Sequence, residues 1–377
     1  MTPTHMEPRA PITRDPGTPT GVVLAGTHPW SNSSFDALLP RPLVPIAHRP
    51  LISYSLSWLK DSGVERVAVC GNRETRLLQT RLVNHVPSGM SLSYLEDPMP
   101  RGAAGSARDA ALADTAQLFV VADGTSIPNV DLPGLLAFHR NSGAAATVVV
   151  HEEARDGGKV GLRAPTGIYV FERRALDIVP SRGFYDIKEH LIPRLYALGE
   201  RVVMYASHGP APRVLGASTY LAVNEWIVEQ LLASEDTLPG YVRIGSSLVH
   251  GEASVASDAV LGGPILIGPG ARVLSGAVVI GPTSIGRNVT VKSGALVSRS
   301  AVWRRSIVGA NASADRCIVA DDAVVGAEER AFRAVVAVRT DRATQVAVSP
   351  PVLLDLATWR KTRFNFGRPV GSNLAAQ

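Results

Sequence analysis

The chain has 377 residues, 45% hydrophobic and 19% charged, with a formal net charge of +5. That length suits two domains, and the composition supports a sizeable core, which excludes a disordered chain. Two cysteines, Cys70 and Cys317, exclude a disulfide framework, and no CxxC or clustered Cys/His pattern points to a structural zinc. The longest apolar run, 259–271, is interrupted by Gly262, Gly263, Pro264, Gly268, Pro269 and Gly270. The first 20 residues hold no apolar stretch of the kind a secretory leader needs. The expectation is therefore a soluble cytoplasmic protein with no membrane contact. The basic residues are 33 Arg and 5 Lys, spread along the chain, so a nucleic-acid partner is not expected and a small anionic ligand suits the charge equally well.

In chain order, 1–20 reads as a flexible arm with five prolines. Gly21–Gly26 is a short apolar run, a buried strand. Leu51, Ile52, Leu56 and Leu59 recur at helical spacing, and Gly63 stops the helix. Strands follow at Val64–Cys70 and Leu118–Ala122, with a helix Ala107–Ala113 between them. Leu132–Arg140 is a helix with Pro133 in its first turn and Gly143 beyond its end. Ala145–Val150 and Gly167–Phe171 read as strands, Ile187–Leu198 as a helix closed by Gly199, and Arg201–Ala206 as a strand. Strands alternating with helices predict a Rossmann-like, doubly wound, mainly parallel α/β sheet over 21–235.

From Val242 the helical period gives way to a period of six. Val249, Val255, Leu261, Ile267, Val273, Val279, Ile285, Val291 and Val297 occupy nine consecutive slots, and seven of the nine residues two places earlier are small or Thr/Ser. This is the hexapeptide repeat of a parallel β-helix, expected to be left-handed and to span 242–326 in four to five turns. The phase slips near Trp303 and resumes at Val302, Val308, Val319 and Val325. The stretch 331–377 reads as a tail, with Trp359, Arg360, Lys361, Arg363, Phe364, Phe366 and Arg368 forming a basic-aromatic segment that docks on its own protein or stacks on a nucleic acid.

An α/β domain followed by a hexapeptide β-helix resembles the sugar-1-phosphate nucleotidyltransferases (NDP-sugar pyrophosphorylases), the mannose-1-phosphate guanylyltransferase branch in particular. The family pattern LAGGxGTRLxPLTxxxPKPLVP is similar, without a gap, to residues 24–45, and both ends are kept: Leu24-Ala25-Gly26 and Pro40-Arg41-Pro42-Leu43-Val44-Pro45. Pro100–Ser106 is similar to PLGTAGA, Phe119–Gly124 to FLVVNGD, Gly167–Phe171 to the NAGIYVF strand, and Tyr220, Leu221 and Asn224 to the YLxAN helix. The resemblance covers roughly 21–326. It implies attack of a sugar phosphate on the α-phosphate of an NTP with release of pyrophosphate. A Gly-rich loop would present N–H groups to the phosphates, cations would neutralise developing charge, and two carboxylates would hold Mg²⁺. By position it makes Leu24, Ala25, Gly26, Gly102, Ala104 and Gly105 nucleotide-binding candidates and Arg41 the catalytic cation.

The sequence departs from that pattern at most of the chemistry. Thr27 and Pro29 stand where loop glycines belong, Trp30 follows, Ser31 replaces the loop Arg, and Arg41 replaces a Lys. Pro has no N–H to offer, and a guanidinium is not a compact ammonium. The first metal Asp aligns with Thr125 and the second with Arg213. Asp123 is a candidate substitute metal ligand, or else a strand-end residue capping a loop. Arg213 either pairs an anion and makes the metal redundant or is a loop charge. Arg41 contacts a phosphate or is a surface charge. No EKP motif is present, although Lys159 lies in the short stretch where it belongs. His28 has no Cys or His partner at ligand spacing, and His250 stands in the repeats, where hexapeptide acyltransferases carry a catalytic His, without a recognisable acyl-CoA pocket. The expectation is a non-catalytic or regulatory homologue that binds a nucleotide or nucleotide sugar, alone as a homo-oligomer or with an active paralogue. The alternatives are an active nucleotidyltransferase, with Mg²⁺ on Asp123 plus Asp36 or Asp186, and a scaffold with no nucleotide ligand.

Overall fold

The computed structural model describes residues 18–26, 35–72, 75–97, 99–154, 160–207, 212–234, 238–338 and 346–347. Most of the expected arm, the loop residues Thr27, His28, Pro29, Trp30 and Ser31, Lys159 and the basic-aromatic tail lie outside them.

Strand β1 (Thr20–Leu24) starts inside the stretch expected as an arm. It is followed by the short antiparallel pair β2 (Pro45–Ile46) and β3 (Arg49–Pro50), helix α1 (Ile52–Asp61), β4 (Arg66–Gly71), α2 (Thr75–Leu82), β5 (Ser91–Glu96), α3 (Gly102–Leu112) and β6 (Leu118–Asp123). Then come α4 (Leu132–Ser142), β7 (Ala146–Ala154), β8 (Val160–Glu172), α5 (Arg173–Asp177), α6 (Ile192–Ala197), β9 (Val202–Ser207) and α7 (Ala217–Ala233). The main sheet has seven strands in the order β5-β4-β1-β6-β8-β7-β9. Only β8 runs against its neighbours.

Each face of this sheet carries its own core. On one, Ile52, Leu56 and Leu59 of α1 and Leu132 and Leu135 of α4 bury against Val23, Val69 and Val120. On the other, Ala104, Ala107, Ala110 and Ala111 form a small-residue face on α3 that packs with Phe119 and Val121. The alanines let the helix axis approach closely enough for the aromatic ring to fill the layer. Several elements were not expected, namely the β2–β3 pair, α2, β5 and α5. Helix α2 buries only Thr75, Leu78 and Leu82, and β5 is an edge strand without a single buried residue. The expected helix 187–198 opens instead with a π turn, Ile187–Leu191, in which Ile192 N donates to the Ile187 carbonyl. Pro193, second in α6, has no N–H for the α-helical bond that would continue the regular pattern.

Beyond α7 the strands stack into three sheets as a β-helix, parallel throughout except for an antiparallel pair at each end of one sheet. Val249 pairs above Ile267 and Ile267 above Ile285, a step of 18 residues. From Ile285 to Val302, Val319 and Val336 the step is 17. The residue is lost at one corner: Ile280 pairs with Ser298 but Ser284 with Ala301. The phase slip thus sits just before Trp303 and recurs in every later coil. The shortened corners carry Arg299, Arg316 and Arg333 at φ of 43°, 53° and 48°. The stack continues to Val336, past the expected end at 326. No helix among the described residues is long and apolar enough to cross a membrane.

The third core joins the two units. It runs from Phe35, Val44 and Ile46 through Tyr220, Trp226 and Ile227 of α7 into the coil interior at Ile265, Ile285 and Trp303. Tyr220 Oη donates to the Pro45 carbonyl at 2.6 Å and accepts from Trp303 Nε1 at 2.7 Å. Asn224 Oδ1 accepts from Ala47 N at 2.9 Å, and its Nδ2 donates to Ser284 Oγ at 3.1 Å. The Tyr–Leu–x–x–Asn helix therefore bolts the β2–β3 turn onto the β-helix.

His48, at φ 71° in that turn, contacts Tyr241 Oη through Nδ1 at 3.2 Å. Burial drives its pKa down to about 4, against a raising contact from the Ile285 carbonyl, while His250 lowers it further. Because the unfolded chain then binds the proton more tightly than the folded one, His48 leaves stability intact above pH 6.5 and erodes it as pH falls from 6.5 towards 4. The loss reaches at most about 3 kcal/mol. His48→Asn, which also tolerates positive φ, should flatten the pH dependence of urea midpoints in that window. An unchanged slope would assign the acid sensitivity to other groups.

Candidate active site

A cavity of about 770 Å³ opens where β1, β4 and β6 end, with Leu24, Gly26, Arg41, Gly102, Asp123 and Arg213 among its lining. This is where parallel sheets place ligands, at the carboxyl ends of their strands. The backbone amides there are largely committed. Gly124 N donates to the Leu24 carbonyl at 2.9 Å and Ala25 N to the Cys70 carbonyl at 2.8 Å. Ala25 itself is buried beneath the surface.

Asp123 closes β6, and both of its oxygens are engaged. Oδ1 accepts from Thr125 N at 2.9 Å and from Thr125 Oγ1 at 2.7 Å. Oδ2 accepts from Arg213 Nη2 in an ion pair. Arg213 is held opposite by an antiparallel bridge to Ser126 and by Val214 N donating to the Thr125 carbonyl at 2.9 Å. The two residues that align with metal carboxylates, Thr125 and Arg213, thus both cap Asp123. The Nε of Arg213 is buried without a partner among the described residues. A buried donor left unpaired costs about 1–3 kcal/mol.

Arg41 is bound to Asp36 by a two-pronged pair, Nε to Oδ1 at 2.7 Å and Nη2 to Oδ2 at 3.0 Å. That bond raises the Arg41 pKa further, with Asp123 adding to the same effect. Asp186 Oδ1 accepts the amides of Lys188 and Glu189 at 2.7 and 3.1 Å and caps the π turn. A Mg²⁺ site needs carboxylate oxygens free to converge on one point. Here Asp123 is capped by Thr125 and Arg213, Asp36 is held by Arg41, and Asp186 is turned to backbone amides. Among the described residues no group of three or more His, Cys, Asp or Glu is arranged to hold a metal ion. The residues present do not fit Mg²⁺.

At the candidate nucleotide-binding segment 100–106, the amides of Ala104 and Gly105 donate to the Tyr185 carbonyl at 3.0 and 3.3 Å. Tyr185 N in turn donates to the Arg101 carbonyl at 2.7 Å. Ala104 and Gly105 are buried, and only Gly102 of the three lines the cavity. Gly102 has φ +75°, and a Cβ there would lie 2.6 Å from the Tyr185 carbonyl oxygen. Gly102→Ala is expected to cost about 1–3 kcal/mol, read as a lower urea midpoint. A neutral outcome would mean that the 184–186 loop can withdraw freely from α3.

The structure brings together Leu24, Gly26, Asp36, Arg41, Gly102, Asp123, Asp186 and Arg213, and adds Asp97, Tyr169, Lys188 and Glu189 around them. Asp97 Oδ2 accepts from Arg101 N at 2.6 Å, and Arg101 is further tied to Asp109. The Asp–Pro–Met–Pro–Arg sequence of 97–101 gives no sign of that. His250 lies away from this cavity, its Nδ1 accepting from Glu252 N at 3.2 Å and its ring packed on Tyr241.

The Nucleotidyl transferase family model matches residues 37–161. A mannose-1-phosphate guanylyltransferase of Mycobacterium tuberculosis is 24% identical over 276 residues, covering 66% of this chain and 75% of its own. A probable mannose-1-phosphate guanylyltransferase of Oryza sativa subsp. japonica is 27% identical over 263 residues, 61% of this chain and 71% of its own. A UTP–glucose-1-phosphate uridylyltransferase of Synechocystis sp. is 24% identical over 200 residues, 43% and 51% of the two chains. Among solved structures, HddC from Yersinia pseudotuberculosis aligns with a TM-score of 0.47 at 16% identity, over 55% of this chain and 99% of that one.

Proposed function

We propose that this chain, a member of the sugar-1-phosphate nucleotidyltransferase family, holds a nucleotide or nucleotide sugar in its cavity without transferring a nucleotidyl group. The observation that carries this reading is the Asp123–Arg213 ion pair. Nucleotidyl transfer to a sugar phosphate brings two strongly charged phosphates together, and metal-held charge neutralisation is what makes the in-line attack feasible. In this cavity the carboxylate that ends β6 is neutralised from within the chain, and Arg41, the cation nearest the catalytic position, is turned onto Asp36. Leu24, Gly26 and Gly102 still line a space large enough for a nucleotide.

A regulatory role fits a chain that keeps binding and loses turnover. In it the protein works as a homo-oligomer or beside an active paralogue, and a sharp monomer with no paralogue bound, by light scattering, would remove that part.

The direct test is pyrophosphate release with Mg²⁺ over a grid of NTPs against mannose-, glucose-, galactose- and N-acetylglucosamine-1-phosphate. GTP with mannose-1-phosphate and UTP with glucose-1-phosphate come first, given what the relatives are named for. The expected result is no signal above a heat-killed control. Turnover in any cell of the grid would reject the non-catalytic reading and name the substrates.

A further inference from the structure

We infer that Arg213 takes the place of the divalent cation in this cavity, so that the site binds a pyrophosphate diester, such as a nucleoside diphosphate sugar, without metal and in preference to a nucleoside triphosphate. This rests on the reading that the cavity holds nucleotide-type ligands. Three observations carry it.

First, among the described residues Arg213 is anchored at one corner of its guanidinium. Nη2 is bound to Asp123, Nε is buried with no partner among the described residues, and the side chain lines the cavity. A guanidinium offers five donors in a fixed fork, and phosphate oxygens match that fork in pairs. Second, Arg41 lies near enough to Asp123 for the carboxylate to raise its pKa. Arg41, held by Asp36, lines the same cavity as Arg213, which Asp123 holds. Third, the lining carries Asp36, Asp97, Asp123, Asp186 and Glu189 against Arg41, Lys188 and Arg213.

That third balance sets the ligand's charge. Five carboxylates against three cations leave these groups at a formal −2, so every further negative charge on a ligand is repelled except where a guanidinium meets it. A triphosphate brings about four negative charges and normally arrives with a metal, whereas a pyrophosphate diester brings about two. Without a metal the cavity repels the first more strongly than the second, whose two charges the guanidinium of Arg213 can meet.

The inference makes an opposite-sign prediction at Asp123. If Asp123 were a metal ligand, Asp123→Asn would weaken binding. If it is the internal counter-ion of Arg213, the same change releases the guanidinium and removes one negative charge, so binding tightens.

The experiment is calorimetric titration of the full chain with GDP-mannose, GTP, UDP-glucose and UTP, in EDTA and in Mg²⁺, with no sugar phosphate present. In EDTA at least one nucleotide sugar should bind, at least about tenfold tighter than its matching triphosphate. Mg²⁺ should change that affinity by less than about twofold. Asp123→Asn should tighten it about fivefold, and Arg213→Gln should weaken it about tenfold or more. Should Arg213→Gln not fold, Arg213→Lys, which keeps the charge and loses the fork, serves in its place. No binding in EDTA, a tenfold gain from Mg²⁺, or loss of binding in Asp123→Asn would each overturn the inference. Turnover in the pyrophosphate assay overturns the non-catalytic reading separately, because the titrations contain no second substrate.

Discussion

Tyr220→Ala is expected to lose about 3–5 kcal/mol of stability, the largest effect of any single change at the junction. Tyr220 is fully buried, and its ring packs on Phe35 at 5.3 Å and edge-on to Trp303 at 5.9 Å between centroids. Truncation removes those contacts and leaves a void that two rigid units cannot both collapse into. It also takes away the acceptor of the Trp303 indole N–H and a donor to the Pro45 carbonyl. Tyr220→Phe keeps the packing and removes the hydroxyl alone, so about 1–3 kcal/mol is expected. Urea unfolding followed by tryptophan fluorescence separates the two variants. Equal losses from both would place the energy in the hydroxyl and refute the packing argument.

Arg213→Asp is expected to convert a chain whose melting temperature ignores Mg²⁺ into one that Mg²⁺ stabilises. The change moves the charge beside Asp123 by two units. At about 4 Å and an effective dielectric near 20, each unit pair is worth up to roughly 4 kcal/mol. The partial exposure of Arg213, 39% of its side chain, reduces that figure. Without metal the variant should therefore melt several degrees lower, from two facing carboxylates. Mg²⁺ at about a hundred times its dissociation constant should restore about 2.7 kcal/mol of that loss. The wild-type protein should shift by less than a degree across the same titration. A wild-type shift as large as the variant's would mean that Mg²⁺ binds elsewhere or displaces Arg213. Pyrophosphate release should stay absent even in Thr125→Asp/Arg213→Asp, because Arg41 remains paired to Asp36.

Where the period was strong, the sequence carried the fold. The hexads fixed the coil interior from Val249 to Val297, and all but the first coil's Val255 and Leu261 are buried. The apolar runs at β1, β4 and β6 became the central strands. Elements went unread where burial is slight: α2 presents three buried residues and β5 none, so neither leaves a clear apolar pattern. The slip near Trp303 was visible, but its origin at the 298–301 corner was not, because a corner has no side-chain period to break. The site was legible only as a set of departures. Asp123 and Arg213 lie 90 residues apart, and no spacing rule connects them. Arg41 and Asp36 are five residues apart on a turn, where neither helical nor strand spacing predicts a contact. The Tyr185 carbonyl that occupies the Ala104 and Gly105 amides comes from a loop whose path only the tertiary structure determines.

The change from 18-residue to 17-residue coils gives the gene two different units of length. Below the corner at Arg299, an in-frame gain or loss of 17 codons moves every inward aliphatic onto the next one's place, Val302 onto Val319 or Val308 onto Val325. Above it the same edit throws the register out by one residue and turns each strand's buried side to solvent, and only 18 codons are neutral there. The lower half of the β-helix can therefore lengthen or shorten by a step that the upper half cannot absorb. Recombination between the halves is barred by arithmetic rather than by chemistry.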